Sequence, residues 1–71
     1  MLYDFSSKEL EVLKYAALPI KEISLRLNLS EGAIKSRLTS AVKKTNAQNR
    51  FMAQFEAIKR GLITIEEIIT E

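Results

Sequence analysis

The sequence predicts an all-α protein of four helices, and three observations carry that prediction. Apolar residues recur at three- and four-residue spacing along most of the 71 residues. Side chains suited to sealing a helix N-terminus stand just ahead of two of these runs, at Ser6 and Ser30. Breakers are few, one Pro and two Gly, and each falls at or near the edge of a run.

Taken in order, Ser6 and Glu9 form a capping box, and Phe5 ahead of it is placed to staple onto Leu10. A first helix therefore starts here and runs to about Ala17, with Leu10, Leu13 and Ala17 as its inner stripe. The segment "PIKEISLRL" puts Pro19 in the first turn of a second helix from about 19 to 27, with Ile20, Ile23 and Leu27 inward. Asn28 tolerates the left-handed conformation that ends it. Ser30 caps a third helix, about 31 to 44, in which Glu31 suits the first turn and Ile34, Leu38, Ala41 and Val42 form the apolar stripe. Beyond the polar break "TNAQN" a fourth helix runs from about Arg50 to Arg60 and stops at Gly61. The tail "LITIEEIITE", 62–71, reads two ways: Thr64 and Glu67 make a second capping box for a short fifth helix, or the β-branched run is extended.

Composition narrows the function. Residues 1–71 fit one domain, near the size at which a single core yields only a few kcal/mol, so help from a second subunit is expected. With no Cys and no His there is no disulfide, no zinc site of the usual kind and no imidazole-activated nucleophile. The hydroxyls and carboxylates present have no basic partner, metal-ligand cluster or glycine-rich phosphate loop beside them, so no enzyme, no cofactor and no metal is expected. No apolar run approaches a membrane span, and "MLYDFSSKE" lacks the regions of a signal peptide; a soluble cytoplasmic protein is expected.

The net charge of +2 conceals an uneven distribution. Seven basic and two acidic residues lie between Lys21 and Arg50, a balance of +5, and the remainder sums to −3. Within that block, two short helices are joined by about three residues, the pattern of a helix-turn-helix over about 19–44. Ser24 is small enough to let the third helix approach the second. With the apolar stripe inward, the third helix shows Gly32, Lys35, Ser36, Thr39, Ser40 and Lys43 on its far side. Short polar side chains there let the backbone sit deep in a groove, while Lys, Ser and Thr donate to base edges or phosphates.

On "FSSKELEVLKY", "IKEISLRLNLSEGAIKSRL" and "NRFMAQFEAIKRGLI", in that order, the chain from Phe5 to Ile63 resembles the LuxR/GerE type of four-helix DNA-binding domain and aligns with its pattern without a gap. "SEGAIKSRL" is also similar to the recognition helix of sigma factor region 4, a likeness that fades after Lys44. The LuxR/GerE resemblance implies a sequence-specific regulator of transcription, a homodimer across two palindromic half-sites of double-stranded DNA. Carried over by position, Lys35, Ser36 and Thr39 touch bases, and Lys21, Ser30, Arg37, Lys43, Asn49 and Arg50 touch phosphates. In the same register Ala53, Ala57 and Ile58 face the core and Phe51, Met52 and Phe55 point outward, as a dimer or partner interface. The alternatives are a rotated register, or a tail that folds Ile65, Ile68 and Ile69 over those residues. A sigma-like or anti-activator module that docks on RNA polymerase or a larger regulator is the competing function. Four departures stand out: Pro19 replaces a polar N-cap, Gly32 a longer residue, Thr45-Asn46 the usual Leu-Gly, and Gln54 an apolar residue. Packing around the fourth helix is expected to differ accordingly.

Overall fold

A computed structural model describes residues 5–69. Among them lie α1 (Ser7–Lys14), α2 (Ile20–Leu27), α3 (Glu31–Thr45) and α4 (Arg50–Lys59), then one 3₁₀ turn at Ile65–Glu67, with no strand. The long α3 packs against all three other helices, and α4 also packs against α1. Val12, Leu13, Leu18, Ile23, Ile34, Leu38, Ala41, Ala53, Ala57 and Ile63 form the core between them.

The first helix stops three residues sooner than its apolar spacing suggests. A residue ahead of proline disfavours helical geometry, so Leu18-Pro19 obliges the chain to leave the α conformation early. It does so through tight turns in which Ala16 N–H donates to the Leu13 carbonyl (3.1 Å) and Leu18 N–H to that of Tyr15 (2.9 Å). Fewer residues per turn swing Ala16 inward in place of Ala17. The inner face is therefore Val12, Leu13 and Ala16, with Leu10 half-buried and Ala17 exposed. Pro19 itself sits at the N-cap (φ −61°, ψ 150°), one place before the first turn expected for it, and supplies no side-chain cap.

Three left-handed residues end the later helices: Asn28 and Asn46, each at φ 55°, and Gly61 at φ 75°. Asn46 closes α3 in that left-handed conformation, and Thr45 beside it is buried with its hydroxyl donating to the Ala41 and Val42 carbonyls (3.1 Å each). Gly61 N–H donates to Ile58 and Leu62 N–H to Ala57, a paired closure of α4. Gln54, the other polar departure, donates from Nε2 to the Leu13 carbonyl at 2.6 Å and so ties α4 to the end of α1.

As far as Ile69 the tail resolves into that one 3₁₀ turn and then extended chain; 70–71 of the expected tail lie outside the described residues. Thr64 N–H donates to the Glu67 carboxylate (2.8 Å), which also lies 3.6 Å from Lys14, and Ile69 N–H donates to the Lys14 carbonyl (2.9 Å). Ile68 and Ile69 pack half-buried against the core, while Ile65 stays exposed.

Besides Thr45, one further polar side chain among the described residues, that of Glu9, is buried among these apolar contacts. Glu9 caps its own helix, accepting from Ser6 N–H at 2.9 Å, while its backbone N–H donates to Ser6 Oγ at 3.1 Å. The same carboxylate then reaches α3, accepting from Ser40 Oγ (2.6 Å) and Lys44 Nζ (2.7 Å). Ser40, placed by spacing on the outward face, thus turns toward α1. Burial by itself would raise the Glu9 carboxyl, but the hydrogen bonds from Lys44, Ser40 and Ser6 outweigh it and hold the pKa down, from 4.5 to about 2.

A depressed carboxyl stabilises the fold fully above its unfolded-state pKa and loses that contribution as pH falls through the folded value. Wild-type stability should accordingly drop by about 2–3 kcal/mol between pH 5 and pH 2 on account of this one residue. Glu9→Gln should be less stable at neutral pH and its urea midpoint should vary much less across that window; an equally steep curve in the variant would assign the acid sensitivity elsewhere.

Candidate nucleic-acid interface

The exposed side of α3 is built by the burial of its other side. Ile34, Leu38 and Ala41 are buried and Val42 half-buried, which turns Gly32, Lys35, Ser36, Thr39 and Lys43 outward. These five, with Ser40 and Lys44, line one shallow groove along the helix. A Cβ on Gly32 would meet nothing nearer than Ser30 Oγ at 4.0 Å, so nothing within the chain requires glycine there. Its lack of a side chain instead leaves the N-terminal turn of α3 open to close approach from outside.

A second cleft runs alongside, lined by Ile20 of α2, by Lys35, Leu38, Thr39 and Val42 of α3, and by Arg50 of α4. Lys35 and Thr39 line both hollows and so form the ridge between them. Of the residues expected to touch bases, Lys35, Ser36 and Thr39 come together on this surface. Lys43 joins them in the first groove and Arg50 in the second, whereas Lys21, Ser30, Arg37 and Asn49 line neither.

Several of the expected phosphate contacts have a second role inside the fold. Ser30 Oγ accepts from Ala33 N–H (3.1 Å) as the cap of α3. Asn49 Oδ1 accepts from Met52 N–H (2.9 Å) as the cap of α4, which leaves the amide nitrogen of that side chain as the donor. Arg50 Nη2 donates to the Leu18 carbonyl (3.2 Å), and its guanidinium lies 5.2 Å from the centre of the Phe51 ring. The guanidinium is thereby oriented at the mouth of the second cleft. Lys21 and Lys43 are exposed and Arg37 is half-buried.

The turn that sets α2 against α3 is held by Ser24. Its backbone carbonyl accepts from the N–H groups of Asn28 and Leu29, and its hydroxyl donates to the Leu29 carbonyl. Small size was the sequence signal at this position; the hydrogen bonds add a second reason for it. Sequence reasoning missed Lys44, a groove residue whose ammonium is held by Glu9, and Ile20, a wall of the second cleft. The basic block contained the first and the apolar stripe of α2 the second, but neither signal gives a place in the site.

On α4 the inward positions are Ala53 and Ala57, both buried, with Ile58 half-buried. Phe51, Met52 and Phe55 are 51 %, 45 % and 53 % exposed, an apolar patch on the opposite side. Among the described residues no group of acidic, His or Cys side chains is arranged to hold a metal ion, and no helix is long and apolar enough to cross a membrane.

The family profile "Bacterial regulatory proteins, luxR family" matches residues 4–57. Three proteins of Bacillus subtilis (strain 168) are similar: "Transcriptional regulatory protein YdfI" is 41 % identical over 63 residues, which is 86 % of this chain and 30 % of that protein. "Uncharacterized transcriptional regulatory protein YvfU" is 38 % identical over 58 residues (79 % and 29 %), and "Uncharacterized transcriptional regulatory protein YxjL" 34 % over 61 (83 % and 28 %). The chain thus spans less than a third of the length of each of these relatives. No solved structure matches it significantly.

The caps on either side of α3 give a direct stability test. Ser30→Ala and Asn49→Ala should each lower unfolding free energy by about 1 kcal/mol, and Ser30→Asp should not, because aspartate restores the acceptor. Urea unfolding followed by circular dichroism would measure all three, and an Asp variant as unstable as the Ala variant would count against capping as the role of Ser30.

Proposed function

Since the chain belongs to the luxR family of bacterial regulatory proteins, we propose that it is a sequence-specific, double-stranded-DNA-binding regulator of transcription that works as a homodimer on palindromic half-sites. The observation that carries this reading is the outward face of α3, where lysines, small hydroxyl residues and an unobstructed glycine line one groove inside the segment matched by the family profile.

In this reading α3 enters the major groove, with Lys35, Ser36 and Thr39 at base edges. Lys supplies a charged donor for guanine, and the short hydroxyl side chains allow the backbone to come close. Lys21, Ser30, Arg37, Lys43, Asn49 and Arg50 fix the orientation by contacting phosphates, Arg50 with its guanidinium already set by Leu18 and Phe51. The exposed Phe51, Met52 and Phe55 join two copies, and a two-fold axis at α4 sets the two recognition helices about 34 Å apart, one turn of DNA. In this reading residues 1–71 are one helix-turn-helix domain of a regulator that works in the cytoplasm. The names of the three relatives, all transcriptional regulatory proteins, support the class of function.

Selection of binding sites from random duplex DNA tests the whole reading, with a palindromic consensus as the expected result. Lys35→Ala should weaken the selected site by about 1–3 kcal/mol and relax preference at one position of each half-site. Binding to the selected site at wild-type affinity and selectivity would remove α3's outward face from the interface.

Phe55→Glu should leave the helical fold intact, since Phe55 is half-exposed, and shift sedimentation from dimer to monomer with loss of tight binding to the full palindrome. A variant that stayed dimeric would move the subunit contact off α4. A wild-type protein that was monomeric and indifferent to DNA, yet captured RNA polymerase through this patch, would favour the docking module instead.

A further inference from the structure

Lys44 lies on the groove side of α3 next to Lys43, yet the two ammonium groups stand in different surroundings. Both line the same groove. Both side chains are exposed, but Lys43 makes no ion pair with a described residue, whereas Lys44 Nζ is 2.7 Å from Glu9 Oε1, on a carboxylate that is 9 % exposed. Glu9 is itself fixed by Ser6 N–H and Ser40 Oγ, so it does not follow Lys44 if the lysine swings away.

We propose that Glu9 is a specificity-determining residue that acts through another: by holding Lys44 it keeps one cation of the groove from reaching DNA phosphate, and so limits sequence-independent binding. This rests on the DNA-binding reading above. The physical basis is the sequence independence of phosphate attraction. Each lysine that neutralises a phosphate adds affinity for every duplex alike and steepens the dependence on salt by about 0.9 in log–log slope. A cation already paired with a buried carboxylate has little left to give, because leaving would cost that carboxylate its charged partner. Contacts that discriminate between bases, from Lys35, Ser36 and Thr39, then make up a larger share of the total.

The test is the salt dependence of binding to a short random-sequence duplex, measured by fluorescence anisotropy. Lys43→Gln should reduce the slope by about 0.9, one phosphate contact, while Lys44→Gln should leave it at the wild-type value. Glu9→Gln keeps an acceptor for Ser6 N–H but removes the charge, and should steepen the slope by a similar amount and raise random-duplex affinity several-fold. The double variant Glu9→Gln/Lys44→Gln should return to the wild-type slope, a reversal that a loss of stability alone would not produce. Where Glu9→Gln fails to fold, the Lys43 and Lys44 single variants still decide. Lys44→Gln lowering the slope as much as Lys43→Gln, or a folded Glu9→Gln with the wild-type slope, would overturn the proposal and leave DNA binding intact. A wild-type protein with no affinity for any duplex would overturn the functional reading and this inference with it.

Discussion

A buried carboxylate joins the first helix to the third, and their directional contact depends on it. Glu9 is among few polar side chains admitted to the interior, and it is admitted with its bonds filled from three residues: Ser6 in its own cap, Ser40 and Lys44 one turn apart on α3. Apolar packing of Val12, Leu13, Ile34 and Leu38 presses the same two helices together. Two short hydrogen bonds to residues four apart add a directional tie between α1 and α3 on a face that the burial of Ile34, Leu38 and Ala41 has already chosen.

The remaining polar contacts serve the same end, which is to close a small core without leaving backbone groups open. Gln54 takes the Leu13 carbonyl at the end of α1, Arg50 takes that of Leu18 just before Pro19, and Ile69 N–H takes that of Lys14. Two of these carbonyls lie in the last turn of α1 and the third in the non-helical stretch that leads to α2. The premature end of α1 thus explains why a glutamine, an arginine and the tail converge on one side of the molecule. Gln54 and the Thr45-Asn46 pair, which depart from the LuxR/GerE pattern, fill hydrogen-bonding positions of this chain and leave no buried side-chain polar atom unpartnered among the described residues.

Much of the fold was legible because its signals are local. Ser6 with Glu9, Asn28, Ser30 and Gly61 mark helix ends within a few residues of themselves, and all five behave as their chemistry dictates. The end of α1 was misplaced because the apolar spacing through Ala17 is compatible with a helix, and the local effect of Pro19 on Leu18 overrides it. What the sequence does not carry is contact across distance. Ser40 and Lys44 stand 31 and 35 residues from Glu9, and no periodicity announces that one carboxylate will take both. The outward face of α3 was legible as a set of positions, whereas its division by the Lys35–Thr39 ridge follows from where α2 and α4 lie.

The residues on that ridge have a further property. No side-chain hydrogen bond or ion pair ties Lys35, Ser36, Thr39 or Lys43 to another described residue, and a Cβ on Gly32 would meet nothing nearer than Ser30 Oγ at 4.0 Å. Exchange at these positions consequently leaves the core and the caps as they are. Mutation can wander across this surface without passing through unfolded intermediates, so a lineage with this scaffold is free to drift from one target to another while its architecture stands still.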